Sequence, residues 1–240
     1  MGIKDDGKVS SQIKLERAKL QGRPFKEKYA YVVEYYRIHI FAGILAIVLV
    51  LYTLNALVWN PAPKPYLFIT VNGDYVSYEV FQGMAEELDE IFVPAGENLT
   101  FTFDNFYSTP EDPTMDYNNM QKFAAMIAAR QIDIIIFKND QMAQLAGEGI
   151  LMPLTEYFTE VEITSMGSLV QHGALIDYHT ETGAPIVGQP EPVGVALTGN
   201  EFFVKHGVSG ISERYSIGLV VNTEKKELAT EFLKDLFEMK

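Results

Sequence analysis

The sequence has 240 residues, which is enough for one domain of ordinary size and an accessory segment. It contains no cysteine, and this excludes disulfides, thiolate catalysis, and zinc or iron–sulfur sites with cysteine ligands. The net charge of −13 is unevenly divided: residues 1–37 carry nine Lys/Arg and five acids, whereas the remaining 203 residues carry 10 Lys/Arg and 27 acids. Such an acidic body repels phosphates, so we expect no nucleic acid among its partners.

A single membrane-spanning helix is predicted for residues 38–59. This stretch, IHIFAGILAIVLVLYTLNALVW, contains no Asp, Glu, Lys or Arg, and its centre is apolar on every side. At about 1.5 Å per residue it spans roughly 33 Å, close to the hydrocarbon thickness of about 30 Å. The Lys and Arg residues before it predict that residues 1–37 are a cytoplasmic segment in contact with lipid head groups, and that the C-terminal body is extracytoplasmic.

An extracytoplasmic α/β domain is predicted for residues 66–240, after a proline-rich linker at 60–65. Strand-like runs alternate with amphipathic helices in its first half. The predicted order is strand 66–72, helix 78–92, strand 99–103, helix 116–130, strand 132–137 and helix 140–146. This alternation indicates βαβ units, and therefore a mainly parallel sheet flanked by helices.

The second half of the domain is less regular. Residues 160–210 are rich in Gly, Pro and Thr, with a predicted hairpin around Glu181-Thr182-Gly183. YSIGLVV at 215–221 predicts another buried strand, and a final helix follows it. The fold class we predict is α/β, with one transmembrane helix before the sheet.

Two segments of the domain resemble extracellular solute-binding proteins of bacterial ABC transporters. They are ARQIDIIIFKNDQMAQLAGEGILMPLTEYF at 129–158 and SIGLVVNTEKKELATEFLKDLF at 216–237. The juxtamembrane KEKYAYVVEYYRIHI is similar to single-pass membrane proteins of Gram-positive bacteria. The resemblance implies one lobe of a periplasmic-binding-protein type, because a second lobe would have to fit within about residues 159–213. It also implies solute binding and a role in transport at the bacterial cell envelope.

Candidate ligand-binding residues follow the three predicted strands, because ligands of parallel α/β sheets bind beyond the carboxyl ends of the strands. Their amide, carboxylate and phenol groups provide donors and acceptors, and glycine allows close backbone approach. The alternative is that turns and helix caps require these residue types. The candidates are Asn72, Gly73, Asp74, Tyr75, Tyr107, Asn139 and Asp140, and the sequence also places Asn105, Phe106, Gln141, Thr198, Gly199 and Asn200 near them.

No catalytic or metal-binding pattern stands out. Ser168 and His172 could share a helix face but have no evident acid partner, and the histidines lack metal-ligand spacing. We therefore expect neither an enzyme nor a cofactor. The expected function is a membrane-anchored binding module that takes a small polar solute or docks on a transporter or envelope protein. The alternative is a structural docking subunit without a small-molecule ligand.

Overall fold

The computed structural model describes residues 15, 18, 22, 24–107, 113–178 and 184–238. The chain divides into two compact units, residues 1–62 and residues 63–240. In the first unit, helix α1 (Phe25–Leu54) follows Pro24 and continues as a π-helical turn at Asn55–Trp59. Within the described residues, one helix is long and apolar enough to cross a membrane, at Val33–Trp59, and its apolar window is fully exposed.

The first half of the second unit has the predicted alternation of strands and helices. Its elements are β1 (Lys64–Gly73), α2 (Tyr78–Phe92), β2 (Leu99–Tyr107), α3 (Pro113–Ala128), β3 (Ile134–Lys138), a 3-10 turn (Asn139–Gln141) and α4 (Met142–Gly147). β1 lies between β2 and β3 and pairs with both in parallel. The βαβ prediction is confirmed for this half.

The second half consists of short helices and antiparallel strands. Its elements are α5 (Glu160–Met166), β4 (Val170–Gly173), β5 (Ile176–Tyr178), β6 (Pro185–Val187), β7 (Glu191–Ala196), α6 (Glu201–Lys205), α7 (Ser209–Arg214), β8 (Tyr215–Leu219) and α8 (Lys226–Leu236). β5 and β6 form a separate antiparallel pair. The predicted turn at 181–183 between them lies outside the described residues.

The main sheet has six strands in the order β2-β1-β3-β8-β7-β4. It is a mixed sheet, because β8 is antiparallel to β3 and to β7, and β4 is antiparallel to β7. The prediction of an α/β sheet flanked by helices is confirmed, but its mainly parallel character extends only over β1, β2 and β3. The reason lies between β7 and β8, where α6 and α7 have five and six residues. The chain returns through them to the edge at which β7 ends, and β8 starts there as an antiparallel neighbour.

The sheet separates two hydrophobic clusters. Side chains alternate along each strand, so that neighbours such as Ile134 and Ile135 belong to opposite clusters. The larger cluster joins the sheet to α2, α5, α6, α7 and α8. The smaller cluster contains Phe106, Ile135 and Phe137 and joins the sheet to α3 and α4. This second face is covered by fewer elements, and the candidate site lies there.

Candidate functional site

The carboxyl ends of β1, β2 and β3 meet at one edge of the sheet, as the sequence predicts. Gly73 is paired with Tyr107 across β1 and β2. Because β8 runs in the opposite direction, its first residue, Tyr215, lies at the same edge and is paired with Lys138. The sequence pattern did not predict this contribution from β8.

A polar cluster, formed by Asp74, Lys138, Arg214 and Tyr215 and named the Asp74 cluster here, occupies the middle of that edge. Lys138 Nζ lies 2.7 Å from Asp74 Oδ1, and an Arg214 guanidinium nitrogen lies 3.3 Å from Asp74 Oδ2. The backbone N–H of Asp74 donates a 2.7 Å hydrogen bond to the Tyr215 hydroxyl oxygen. The candidate residue Asp74 is therefore bound by its own domain.

The electrostatics of the Asp74 cluster favour an ionised carboxylate beside a neutral phenol. The pKa of Asp74 is lowered, chiefly by its hydrogen bond from Lys138 and further by Tyr215 and Arg214, although partial burial opposes this. The pKa of Tyr215 is raised, first by burial and then by the Asp74 carboxylate. Each charge or hydroxyl in the cluster thus has a partner within it.

Gly73 is required by this cluster. Its φ is +147°, and a Cβ at this position would lie 2.5 Å from the Tyr215 hydroxyl and 2.8 Å from Lys138 Cε. The close backbone approach that the sequence suggested for Gly73 is therefore an approach to its own domain. Tyr75 is exposed and packs edge-to-face on Tyr107, with ring centroids 5.0 Å apart.

The candidates after β3 are also held locally or exposed. The buried Ser216 donates its hydroxyl hydrogen to Asn139 Oδ1 over 2.7 Å. Asp140 is exposed in the 3-10 turn that follows. Neither residue lines the cleft described next.

A cleft of about 600 Å³ opens between α3 and α4, over the ends of β1 and β2. Two of the predicted site residues, Asn72 and Tyr107, line this α3–α4 cleft. Its apolar wall includes Phe106 and Phe123, which pack edge-to-face with centroids 5.2 Å apart. Met120 also lines it and is 68% exposed.

Amide side chains form most of the polar lining: Asn72, Asn119, Gln141 and Gln144. Asn119 Nδ2 donates to the Tyr107 carbonyl over 2.8 Å, and Gln141 Oε1 accepts from the Lys138 N–H over 3.2 Å. Gln144 Nε2 donates to Glu148 over 2.9 Å. Sequence reasoning missed Asn119 and Gln144 because both lie inside helices. The available signal was the apolar face of the predicted α3 helix, which includes Met120 and Phe123.

The remaining candidates are separated from this edge. Thr198, Gly199 and Asn200 line a different cleft, of about 450 Å³, together with residues of α2 and α8. Ser168 lies in a 3-10 turn and His172 in β4, so they share no helix face. Among the described residues, no group of three or more His, Cys, Asp or Glu side chains could hold a metal ion.

Comparison with known proteins finds partial structural similarity and no sequence family. No family model and no curated protein sequence matches the chain. One similar solved structure is an extracellular solute-binding protein family 1 from Alicyclobacillus acidocaldarius subsp. acidocaldarius DSM 446, with a TM-score of 0.28 and 14% sequence identity. The match covers 49% of this chain and 29% of that protein, so this chain spans less than a third of its length.

Proposed function

We propose that this chain is a membrane-anchored, non-enzymatic binding module whose extracytoplasmic domain takes a small uncharged solute into the α3–α4 cleft. The observation that carries the proposal is the cleft itself. Its volume of about 600 Å³ lies within the range of roughly 300–1,000 Å³ common for ligand pockets. Asn72 and Tyr107 are the predicted site residues that we retain as ligand contacts.

The chemistry of the lining supports an uncharged ligand. Apolar side chains and neutral amides dominate it, and Glu148 is the one carboxylate among the lining residues that the structure describes. Glu148 already accepts a hydrogen bond from Gln144. The described lining contains no Lys or Arg, so a buried anionic ligand would have no opposite charge to compensate its desolvation. Asp74 and Asn139 would support the edge of the sheet without touching the ligand.

The membrane anchor is proposed at residues 38–59, within the apolar helix Val33–Trp59, with lipids as its partner and residues 1–37 in the cytoplasm. The exposed apolar helix and the Lys/Arg bias before it support this arrangement. Protease added outside intact cells should digest the C-terminal domain and leave a protected fragment of about residues 1–60. Protection of the whole chain would contradict the orientation.

Occlusion of the cleft tests the binding proposal. Ala124 lines the cleft, whereas its neighbour Ala125 is exposed on α3 and does not line it. The full chain, in lipid nanodiscs, should be screened by thermal shift against sugars, free amino acids and end-blocked dipeptides. At least one class should raise Tm, because a ligand that binds only the folded state stabilises it by mass action.

The matched variants then locate the ligand. Ala124→Trp should abolish the thermal shift, and Ala125→Trp should preserve it. A shift that survives Ala124→Trp would place the solute elsewhere. If no class raises Tm, the binding proposal fails.

A docking subunit without a small ligand is the second candidate, and one observation favours it. Ile186 and Val187 of β6 are 49% and 65% exposed on the small β5–β6 sheet. Leu175 and Ile176 beside them are 46% and 37% exposed, and contiguous apolar surface of this kind marks protein interaction sites. A photo-crosslinker at Val187 in native membranes should give a discrete adduct that disappears with Ile186→Lys. Absence of an adduct would remove this candidate.

A further inference from the structure

The free hydrogen-bonding groups of the α3–α4 cleft have a distinctive composition. In the part of the chain that the structure describes, the side chain of Asn72, the Oδ1 of Asn119 and the Nε2 of Gln141 make no hydrogen bond. The other amide atom of Asn119 bonds to the Tyr107 carbonyl, and that of Gln141 accepts from the Lys138 N–H, so these two side chains are held in place. The cleft therefore offers at least two free acceptors and two free donor groups, all uncharged.

This set matches a peptide group. A peptide unit presents one N–H donor and one C=O acceptor, and side-chain amides can satisfy both. A carboxylate ligand is less well matched, because the described lining has amide hydrogen-bond donors but no positively charged side chain. A sugar would use the same donors and acceptors, but it would leave the apolar wall of the cleft poorly covered.

The apolar wall provides the second half of the argument. Phe123, Ile127 and Ile150 are partly exposed and line the cleft together with the exposed Met120. A ligand that carries apolar groups removes this surface from water. Methionine is unbranched and flexible, so Met120 can adapt to side chains of different shape.

From these observations we infer that the solute of the α3–α4 cleft is a short neutral peptide with apolar side chains. The inference rests on the proposed function, because it names the ligand class of the same site. The ligand places an aliphatic or aromatic side chain against Met120 and Phe123. Its backbone groups bond to the amides of Asn72, Asn119 and Gln141.

Replacement of one backbone atom of the ligand tests this recognition. The probe is acetyl-Leu-Leu-N-methylamide, and its matched control is the depsipeptide in which an ester oxygen replaces the N–H between the two leucines. The affinity of each ligand for the full chain in nanodiscs is measured by calorimetry. The two ligands have nearly the same shape and differ by one N–H donor. The peptide should bind about five- to tenfold more tightly than the depsipeptide, the value of one hydrogen bond in a partly buried site.

A protein variant gives the complementary measurement. Asn72→Leu keeps the approximate volume of the side chain and removes its amide, so the Kd for the peptide should rise about five- to tenfold. Ala125→Trp should leave that Kd unchanged. The circular dichroism of Asn72→Leu is compared with that of the parent, and the depsipeptide comparison on the parent protein does not depend on whether the variant folds.

The outcomes separate this inference from the proposed function. Equal Kd values for peptide and depsipeptide, or an unchanged Kd in a folded Asn72→Leu variant, would overturn peptide recognition and leave the cleft as a binding site. A second result would lead to the same conclusion. In it, sugars or free amino acids raise Tm, Ala124→Trp abolishes that shift, and no peptide binds. If no probe binds, both proposals fall together.

Discussion

The Asp74 cluster and the α3–α4 cleft lie at the same edge of the sheet, yet their polar groups differ. Those of the cluster are bonded to one another, whereas those of the cleft face open space. Asp74 is bound by Lys138, Arg214 and Tyr215. Asn72, two residues earlier on the same strand, lines an open cleft. The position of a polar residue at a strand end therefore does not decide whether its side chain is bonded within the domain or open to a ligand. The side chain is bonded within the domain where another element places a hydrogen-bond or ion-pair partner beside it.

The elements around the two regions explain the difference. The antiparallel strand β8 brings Tyr215, preceded by Arg214, to the end of β1. On the opposite face, α4 has only six residues, or roughly 9 Å of helix, and leaves the ends of β1 and β2 partly uncovered. The charged groups at this edge thus bond to one another, whereas the neutral amides beside the short helix α4 line the open cleft.

The largest effect is expected from Ile135→Asp, which would break both regions at once. Ile135 is fully buried in β3, at the centre of the sheet. An unpaired carboxylate there should lower the free energy of unfolding by about 4 kcal/mol or more, measured by urea denaturation of the full chain. The control is Ile186→Asp on the exposed β6, which should change it by less than about 0.5 kcal/mol. A change at Ile135 below about 1 kcal/mol would mean that the two regions do not share this core.

The sequence predicts the sheet that supports both regions, but not their separation. The strand–helix alternation from β1 to β3 follows from periodicity, and the shared edge follows from parallel pairing. The direction of β8 does not, because the mostly apolar run YSIGLVV carries no directional signal. Without Tyr215 and Arg214 at the edge, Asp74 resembled a free ligand group. The cleft amides of α3 and α4 were missed for a different reason: the sequence of a helix does not show how much of a sheet the helix covers.

A smaller effect is expected from Gly73→Ala, which should disturb the Asp74 cluster alone. The new Cβ would meet the Tyr215 hydroxyl at 2.5 Å, and the positive φ adds backbone strain. Gly96→Ala is the control, because Gly96 also has a positive φ but has no atom within 4 Å of the added Cβ. Gly73→Ala should destabilise the domain by about 1–3 kcal/mol more than Gly96→Ala, the usual range for overpacking. Equal losses for the two variants would show that the collision is relieved without cost.

The smallest effect is expected from Asp74→Asn, which removes the charge of the cluster and keeps its shape. The side chain of Asp74 is 46% exposed, so solvent screens its ion pairs, and their loss should cost about 0.5–1 kcal/mol at neutral pH. The folded-state pKa of Asp74 is lowered, chiefly by Lys138. Its contribution is therefore fully present above the unfolded pKa of about 3.9, and it is lost as pH falls through that value to the lower folded pKa.

The difference in unfolding free energy between parent and Asp74→Asn should accordingly be constant at pH 6–7 and shrink towards zero in acid, below about pH 4. Asp140→Asn is the matched control, because Asp140 is exposed after the neighbouring strand and forms no ion pair among the described residues. At neutral pH the unfolding free energy of this variant should differ little from that of the parent, since no such ion pair is lost. Since Asp74 does not line the α3–α4 cleft, the Kd of any cleft ligand should stay the same in Asp74→Asn. A weaker Kd in that variant would mean that the cluster and the cleft act together, and the distinction between a structural edge and a binding edge would have to be abandoned.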